Sequence, residues 1–215
     1  MSYGYIGDTS TSIKQQVKNA GVLSMNDVLD LEGKGQLGGS LELIEEQTVS
    51  SATQYVDFTN IKENVYDVHL LQYNNFQHDG TNERLTYQFF ENDVIENGSV
   101  YYNASQVGRT TGTFSEVKTQ NVTYGRLGVN VTPSANYKDN GYLYIYNAGN
   151  SSKYTFTTVQ TIGRYTDGTF STEFGSGVLP QASLVNGIRL LTFATGVNIT
   201  SLTAKLYGVK QIWVT

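Results

Sequence analysis

The sequence predicts an all-β protein: an antiparallel β-sandwich or jelly roll, preceded by a short N-terminal arm holding one or two short helices. Three observations predict it. From Leu41 onward, apolar and polar residues alternate with a period of two in run after run. Turn-forming pairs of Gly, Asn and Asp separate those runs. The bulky apolar material is weighted to aromatics, 16 Tyr and 9 Phe, whose wide rings suit a pleated surface.

The arm comes first, over residues 1–40. Ser12 to Ala20 has the makings of a helical turn or two, stopped at Gly21. A second helical signal follows, Ser24-Met25-Asn26-Asp27-Val28-Leu29-Asp30-Leu31. Ser24 is placed to cap its N-terminus, with Asp27 three residues on as a weak capping box. Gly33 and Gly35 end that segment, and Gly38-Gly39 form a hinge into the main domain. A piece this short cannot bury a core alone. It is expected to attach to the main domain or to a neighbouring subunit through Tyr3, Tyr5, Ile6, Val28 and Leu29.

Residues 41–215 form the predicted sandwich, long enough for one substantial domain. Tyr66, Val68 and Leu70 alternate with Asp67, His69 and Leu71, and Leu85, Tyr87 and Phe89 with Arg84, Thr86 and Gln88. Leu143 and Ile145 sit between Tyr142, Tyr144 and Tyr146, while Thr155 separates Tyr154 from Phe156. Leu202, Ala204 and Leu206 alternate with Thr203, Lys205 and Tyr207. Each run reads as a half-buried strand. Turns are expected at His78-Asp79-Gly80, Asn97-Gly98, Asp139-Asn140-Gly141, Ala148-Gly149-Asn150, Asp167-Gly168 and Asn186-Gly187.

Composition narrows the function classes. Only 15% of residues are charged, so the surface must be built from Thr, Ser, Asn, Gln and Tyr. A net charge of −5 without any Lys/Arg run argues against nucleic acid as a partner. The absence of cysteine excludes disulfides and thiol chemistry. No apolar run reaches membrane-spanning length, and the first residues lack the basic and apolar regions of a signal peptide. Synthesis in a cytoplasm, with no membrane partner, is the expectation.

A search for chemistry finds no catalytic, cofactor-binding or metal-binding set, so the chain is not expected to be an enzyme. Of the two histidines, His69 lies within a strand and is expected to pack there, whereas His78 reads as a solvated loop residue. No G-x-S-x-G elbow accompanies either. Among the carboxylates, Asp67 and Glu91 are the best placed for a glycosidase pair, but acidic residues on exposed strand faces are ordinary. Asp79-Gly80-Thr81-Asn82-Glu83 lacks calcium-loop spacing and reads as a turn. Asn-x-Ser/Thr triplets at Asn97, Asn103, Asn121, Asn130, Asn150 and Asn198 follow from composition and are expected to be unmodified. What remains is aromatic. Tyr101, Tyr102, Tyr142, Tyr144 and Tyr146 are candidate ligand or subunit contacts, since tyrosines on one face can stack on sugars or fill protein contacts.

Several blocks of sequence carry a family resemblance. Ser2-Tyr3-Gly4-Tyr5-Ile6-Gly7-Asp8-Thr9 and Gly21-Val22-Leu23-Ser24-Met25-Asn26-Asp27-Val28 resemble the start of small virion structural proteins of tailed bacteriophages, those of marine and cyanobacterial phages above all. Val56-Asp57-Phe58-Thr59-Asn60-Ile61 and Tyr66-Asp67-Val68-His69-Leu70 resemble the first strands of that group. Gly177-Val178-Leu179-Pro180-Gln181-Ala182-Ser183, Gly187-Ile188-Arg189-Leu190 and Leu206-Tyr207-Gly208-Val209-Lys210 resemble its ending. These are framework patterns and carry no catalytic residues. The resemblance implies a virion component on a jelly-roll-like sandwich, expected on the particle exterior as a capsid decoration or as part of a tail or neck appendage. It implies other virion proteins as partners and a homo-oligomer, with a trimer favoured. The alternative expectation is a carbohydrate-binding module of such an appendage, recognising host surface polysaccharide through the tyrosines.

Overall fold

A computed structural model describes residues 40–134, 136–165 and 167–210, with Leu29 alone before them. Contacts between backbone positions divide the chain into two units, Met1–Leu41 and Glu42–Thr215. In the first, Leu29 is helical and exposed, while Tyr3, Tyr5, Ile6, Val28 and the rest of both expected helices lie outside the described residues.

The second unit is an antiparallel β-sandwich. Its strands are β1 (Leu41–Val49), β2 (Tyr55–Phe58), β3 (Val68–His78), β4 (Leu85–Glu91), β5 (Val94–Ile95), β6 (Tyr101–Arg109), β7 (Phe114–Val122), β8 (Gly125–Arg126), β9 (Asp139–Tyr146), β10 (Thr155–Arg164), β11 (Phe170–Leu179), β12 (Val185–Thr192) and β13 (Ile199–Val209). One sheet has eight strands in the order β1-β13-β3-β9-β10-β11-β6-β7. The other runs β2-β12-β4-β5, with β8 also pairing to β4.

The core fills the space between the sheets. Leu71, Tyr73, Phe76, Leu143, Ile145, Leu202, Ala204 and Leu206 come from the large sheet. Phe58, Leu85, Tyr87, Phe89, Ile188 and Leu190 face them from the small one. Burying each such side chain stabilises the fold by about 1.5–3 kcal/mol. Tyr87 lies at its centre, 5.1 Å from the Phe89 ring and edge-on to Tyr101 at 6.3 Å. The long β3 reaches Phe76 only through an irregularity in its pairing between Tyr73 and Phe76, where Asn75 takes a left-handed φ of 61°. The extra residue returns Phe76 to the inner face.

The structure departs from the sequence pattern at several places. The β4 run is buried on both faces, because Tyr124 and Phe193 roof its other side: the Arg84 guanidinium stacks 3.8 Å from the Phe193 ring, and Gln88 donates to the Thr123 carbonyl at 2.8 Å. Asp139-Asn140-Gly141 and Asn186-Gly187 are not turns; they open β9 and β12. Gly141 is needed for close packing instead, since a Cβ there would lie 2.7 Å from the Gln160 carbonyl oxygen. His78 is not solvated. It ends β3, buried, with Nε2 3.0 Å from the Val131 carbonyl.

The sharpest correction concerns β10. Alternation placed Tyr154 and Phe156 inward and Thr155 outward. The reverse holds: Phe156 is 47% exposed and Thr155 fully buried. The next strand repeats the inversion, with Phe174 at 46% and Glu173 at 0%.

Candidate functional site

The inversion makes the outer face of the large sheet the most distinctive surface of the sandwich. Strand registers arrange its side chains in rows that cross the strands. One row is Val68, Tyr146, Phe156, Val178 and Tyr102, on β3, β9, β10, β11 and β6 in turn. All five are apolar or aromatic and at least partly exposed. Neighbouring strands lie about 4.8 Å apart, so the row is about 19 Å long.

Four residues further along the same strands, about 13 Å away, the chemistry changes. Gln72, Tyr142, Gln160, Phe174 and Gln106 form a second row across the same five strands. Amides and rings alternate in it, and every member is exposed. The Tyr142 hydroxyl donates to the Gln160 side-chain oxygen at 2.7 Å, which leaves the Gln160 amide nitrogen directed to other acceptors. Between the rows, Tyr144 stands edge-on to Tyr142 at 5.8 Å and stacks on Tyr146 at 6.3 Å. At the β3 end, Leu70, Gln72, Asn74, Tyr142, Tyr144 and Gln160 line a groove of about 470 Å³. None of the residues lining it is charged.

Of the tyrosines picked out by sequence, Tyr142, Tyr144 and Tyr146 therefore share one face, and Tyr102 joins them two strands beyond β10. Tyr101 does not. It is buried, donating to the Glu96 carbonyl at 3.0 Å and accepting from the Phe89 amide at 2.8 Å, so it is a core residue and not a contact. Phe156, Ile162, Phe170, Phe174 and Phe114 were missed, although all are exposed. The available signal was Val159: it shares its parity with Thr155, Thr157 and Thr161 and turns all of them inward.

The two histidines singled out by sequence are buried and hydrogen-bonded to backbone carbonyls. His69 is buried, with Nε2 2.7 Å from the Ile61 carbonyl, and burial holds its pKa below the ordinary value. Asp67 is exposed and lies outside the strands. Burial raises the pKa of Glu91, which accepts a hydrogen bond from the Ser183 hydroxyl, and the like charge of Glu96 pushes it the same way. Between the sheets, Glu173 accepts from the Ser105 hydroxyl at 2.5 Å and pairs with Arg126 through two bonds. Asp139 is buried, its carboxyl pushed well above the usual range by desolvation, with Tyr73 donating to it at 3.2 Å. Among the described residues, no three His, Cys, Asp or Glu side chains cluster to hold a metal ion.

Compared with known protein families, with curated proteins and with solved structures, the chain matches none of them.

Proposed function

We propose that this chain is a non-enzymatic structural module of the exterior of a tailed-phage particle, a capsid decoration or a component of a tail or neck appendage. One observation carries the contact role: in β10 and β11 the rings face outward while Thr, Ser and Glu are buried. Exposing Phe156 and Phe174 while burying Thr155 and Glu173 forgoes core stabilisation. A sequence that keeps this arrangement has a use for the outer face, and contiguous exposed apolar surface marks interaction sites.

In this reading the row from Val68 to Tyr102 is the contact with neighbouring virion subunits. Residues 1–40 serve as the attachment arm, and the chain works as a homo-oligomer, with a trimer favoured. The phage assignment rests on the sequence resemblance alone. A mass-spectrometric inventory of purified virions tests it: the chain is expected among the particle proteins, and its absence would overturn the assignment.

A second reading, recognition of host surface polysaccharide, is favoured by the uncharged groove at Tyr142 and Tyr144. It is compatible with the first when the particle component is a receptor-binding appendage.

A further inference from the structure

We infer that the row Gln72–Tyr142–Gln160–Phe174–Gln106 is a binding track for an extended, uncharged oligosaccharide lying across the strands; this deepens the second reading above and rests on it. Five adjacent strands contribute, in sequence, an amide, a ring, an amide, a ring and an amide. The rings stand two strands apart, roughly 10 Å, and so do successive amides.

Such a pattern fits a chain of pyranose units better than a protein surface. The C–H faces of a sugar ring stack on aromatic faces, while its hydroxyls need partners that both donate and accept. A primary amide does both within one side chain. Protein contacts of this length concentrate apolar anchors at the centre, as the Val68–Tyr102 row does, and do not interrupt them with amides.

The charge pattern sets the ligand class. No Asp, Glu, Lys or Arg lies among the five residues, and none lines the groove at their β3 end. At the two ends of the track, Lys205, beside Gln72, pairs with Glu46 at 3.3 Å, and Glu116 lies beside Gln106. With a net charge of −5 and no cation in the row, an acidic polysaccharide meets repulsion and finds no counter-charge. A neutral one meets neither. The Tyr142–Gln160 bond holds one amide of the track in place before a ligand arrives, which lowers the ordering entropy lost on binding.

The test uses the full chain and calorimetry or saturation-transfer NMR. Neutral hexasaccharides (cello-, manno-, malto- and chitohexaose) serve as probes, with hexagalacturonate as the acidic comparison. At least one neutral hexasaccharide is expected to bind, and about tenfold more tightly than its disaccharide, because only the longer chain reaches both rings. Tyr142→Ala and Phe174→Ala should each weaken binding about tenfold. Phe156→Ala, on the other row, should leave it unchanged. Both rings are exposed, so circular dichroism of the variants is expected to match that of the parent.

Failure of every neutral hexasaccharide to bind would overturn the inference. So would equal affinity for hexagalacturonate, or binding indifferent to Tyr142→Ala and Phe174→Ala. Saccharide binding abolished by Phe156→Ala alone would keep the polysaccharide reading and sink this track. Presence in purified virions with no saccharide binding would keep the particle assignment and sink both.

Discussion

The Tyr142 hydroxyl and the Gln160 side chain meet at 2.7 Å on the exposed face of the β9–β10 pair. On the opposite face of the same strand, Thr157 shares a 2.8 Å hydrogen bond with Tyr87 of the other sheet. The two bonds join similar groups, and one is wet and the other dry.

That difference fixes a pair of outcomes. Tyr142→Phe removes an exposed hydroxyl and should change stability by about 0.5 kcal/mol or less. Tyr87→Phe leaves the Thr157 hydroxyl without its partner between the sheets and should cost about 1–3 kcal/mol. Urea unfolding midpoints of the two variants check both figures.

Arg126 and Glu173 carry the heaviest polar load of the interior. Their two bonds, at 2.5 and 2.9 Å, join β8 to β11, and the Glu173 side chain is almost wholly buried. Arg126→Met strands a buried carboxylate and should destabilise by about 3–5 kcal/mol. Adding Glu173→Leu, which removes that charge, should recover part of the loss. A double-mutant cycle measured by chemical denaturation gives the coupling.

Much of this architecture was legible in the sequence. Leu143 and Ile145 between three tyrosines gave the inward face of β9, and Leu202, Ala204 and Leu206 gave that of β13. β10 was illegible by the same rule, because alternation fixes which residues share a face but not which face is buried. Tyr154 and Phe156 looked like core, whereas the core opposite β10 already holds the Tyr87 ring and takes the small Thr157 beside it. His78 was misread for a related reason. Its neighbours Asn74, Asn75 and Gln77 suggest a loop, and only the long-range approach of Val131 makes the position interior. The candidate track could not be read at all, since its rows exist only through register between strands distant in sequence.

Two kinds of buried group give the stability–pH profile opposing slopes. Burial holds the His69 and His78 pKa values below 6.5, so the unfolded chain binds more protons in acid. Their contribution is complete above about pH 6.5 and is lost as pH falls from there toward the folded values. Asp139 acts oppositely. Its folded pKa is well above 3.8, so the folded chain holds the extra proton and stability declines as pH rises above about 4. Asp139→Asn keeps an oxygen to accept from Tyr73 and needs no proton. It should remove that decline, steepening the rise set by the histidines on the acid side and raising stability at pH 8. Thermal melts from pH 5 to pH 9 read both slopes.

Gly149 packs without space for a side chain. A Cβ there would lie 2.1 Å from the Glu63 carbonyl oxygen, which is backbone and cannot swing aside. Gly149→Ala should cost about 1–3 kcal/mol. Gly108→Ala, whose nearest neighbour is the edge of the exposed Phe114 ring at 3.1 Å, should cost less, because that ring can turn outward. Comparing their melting temperatures decides whether backbone approach at Gly149 is as tight as described.

The outward aromatic face of the large sheet is proposed as a contact surface in an assembled particle. Hydroxyl-radical footprinting of purified virions against the free chain tests it most directly, read at Tyr102, Tyr146 and Phe156. All three should oxidise readily in the free chain and be protected in the particle, with exposed Val65 and Val94 labelled equally in both states. Equal oxidation of Tyr102, Tyr146 and Phe156 in the two states would show that this face is not buried in the particle.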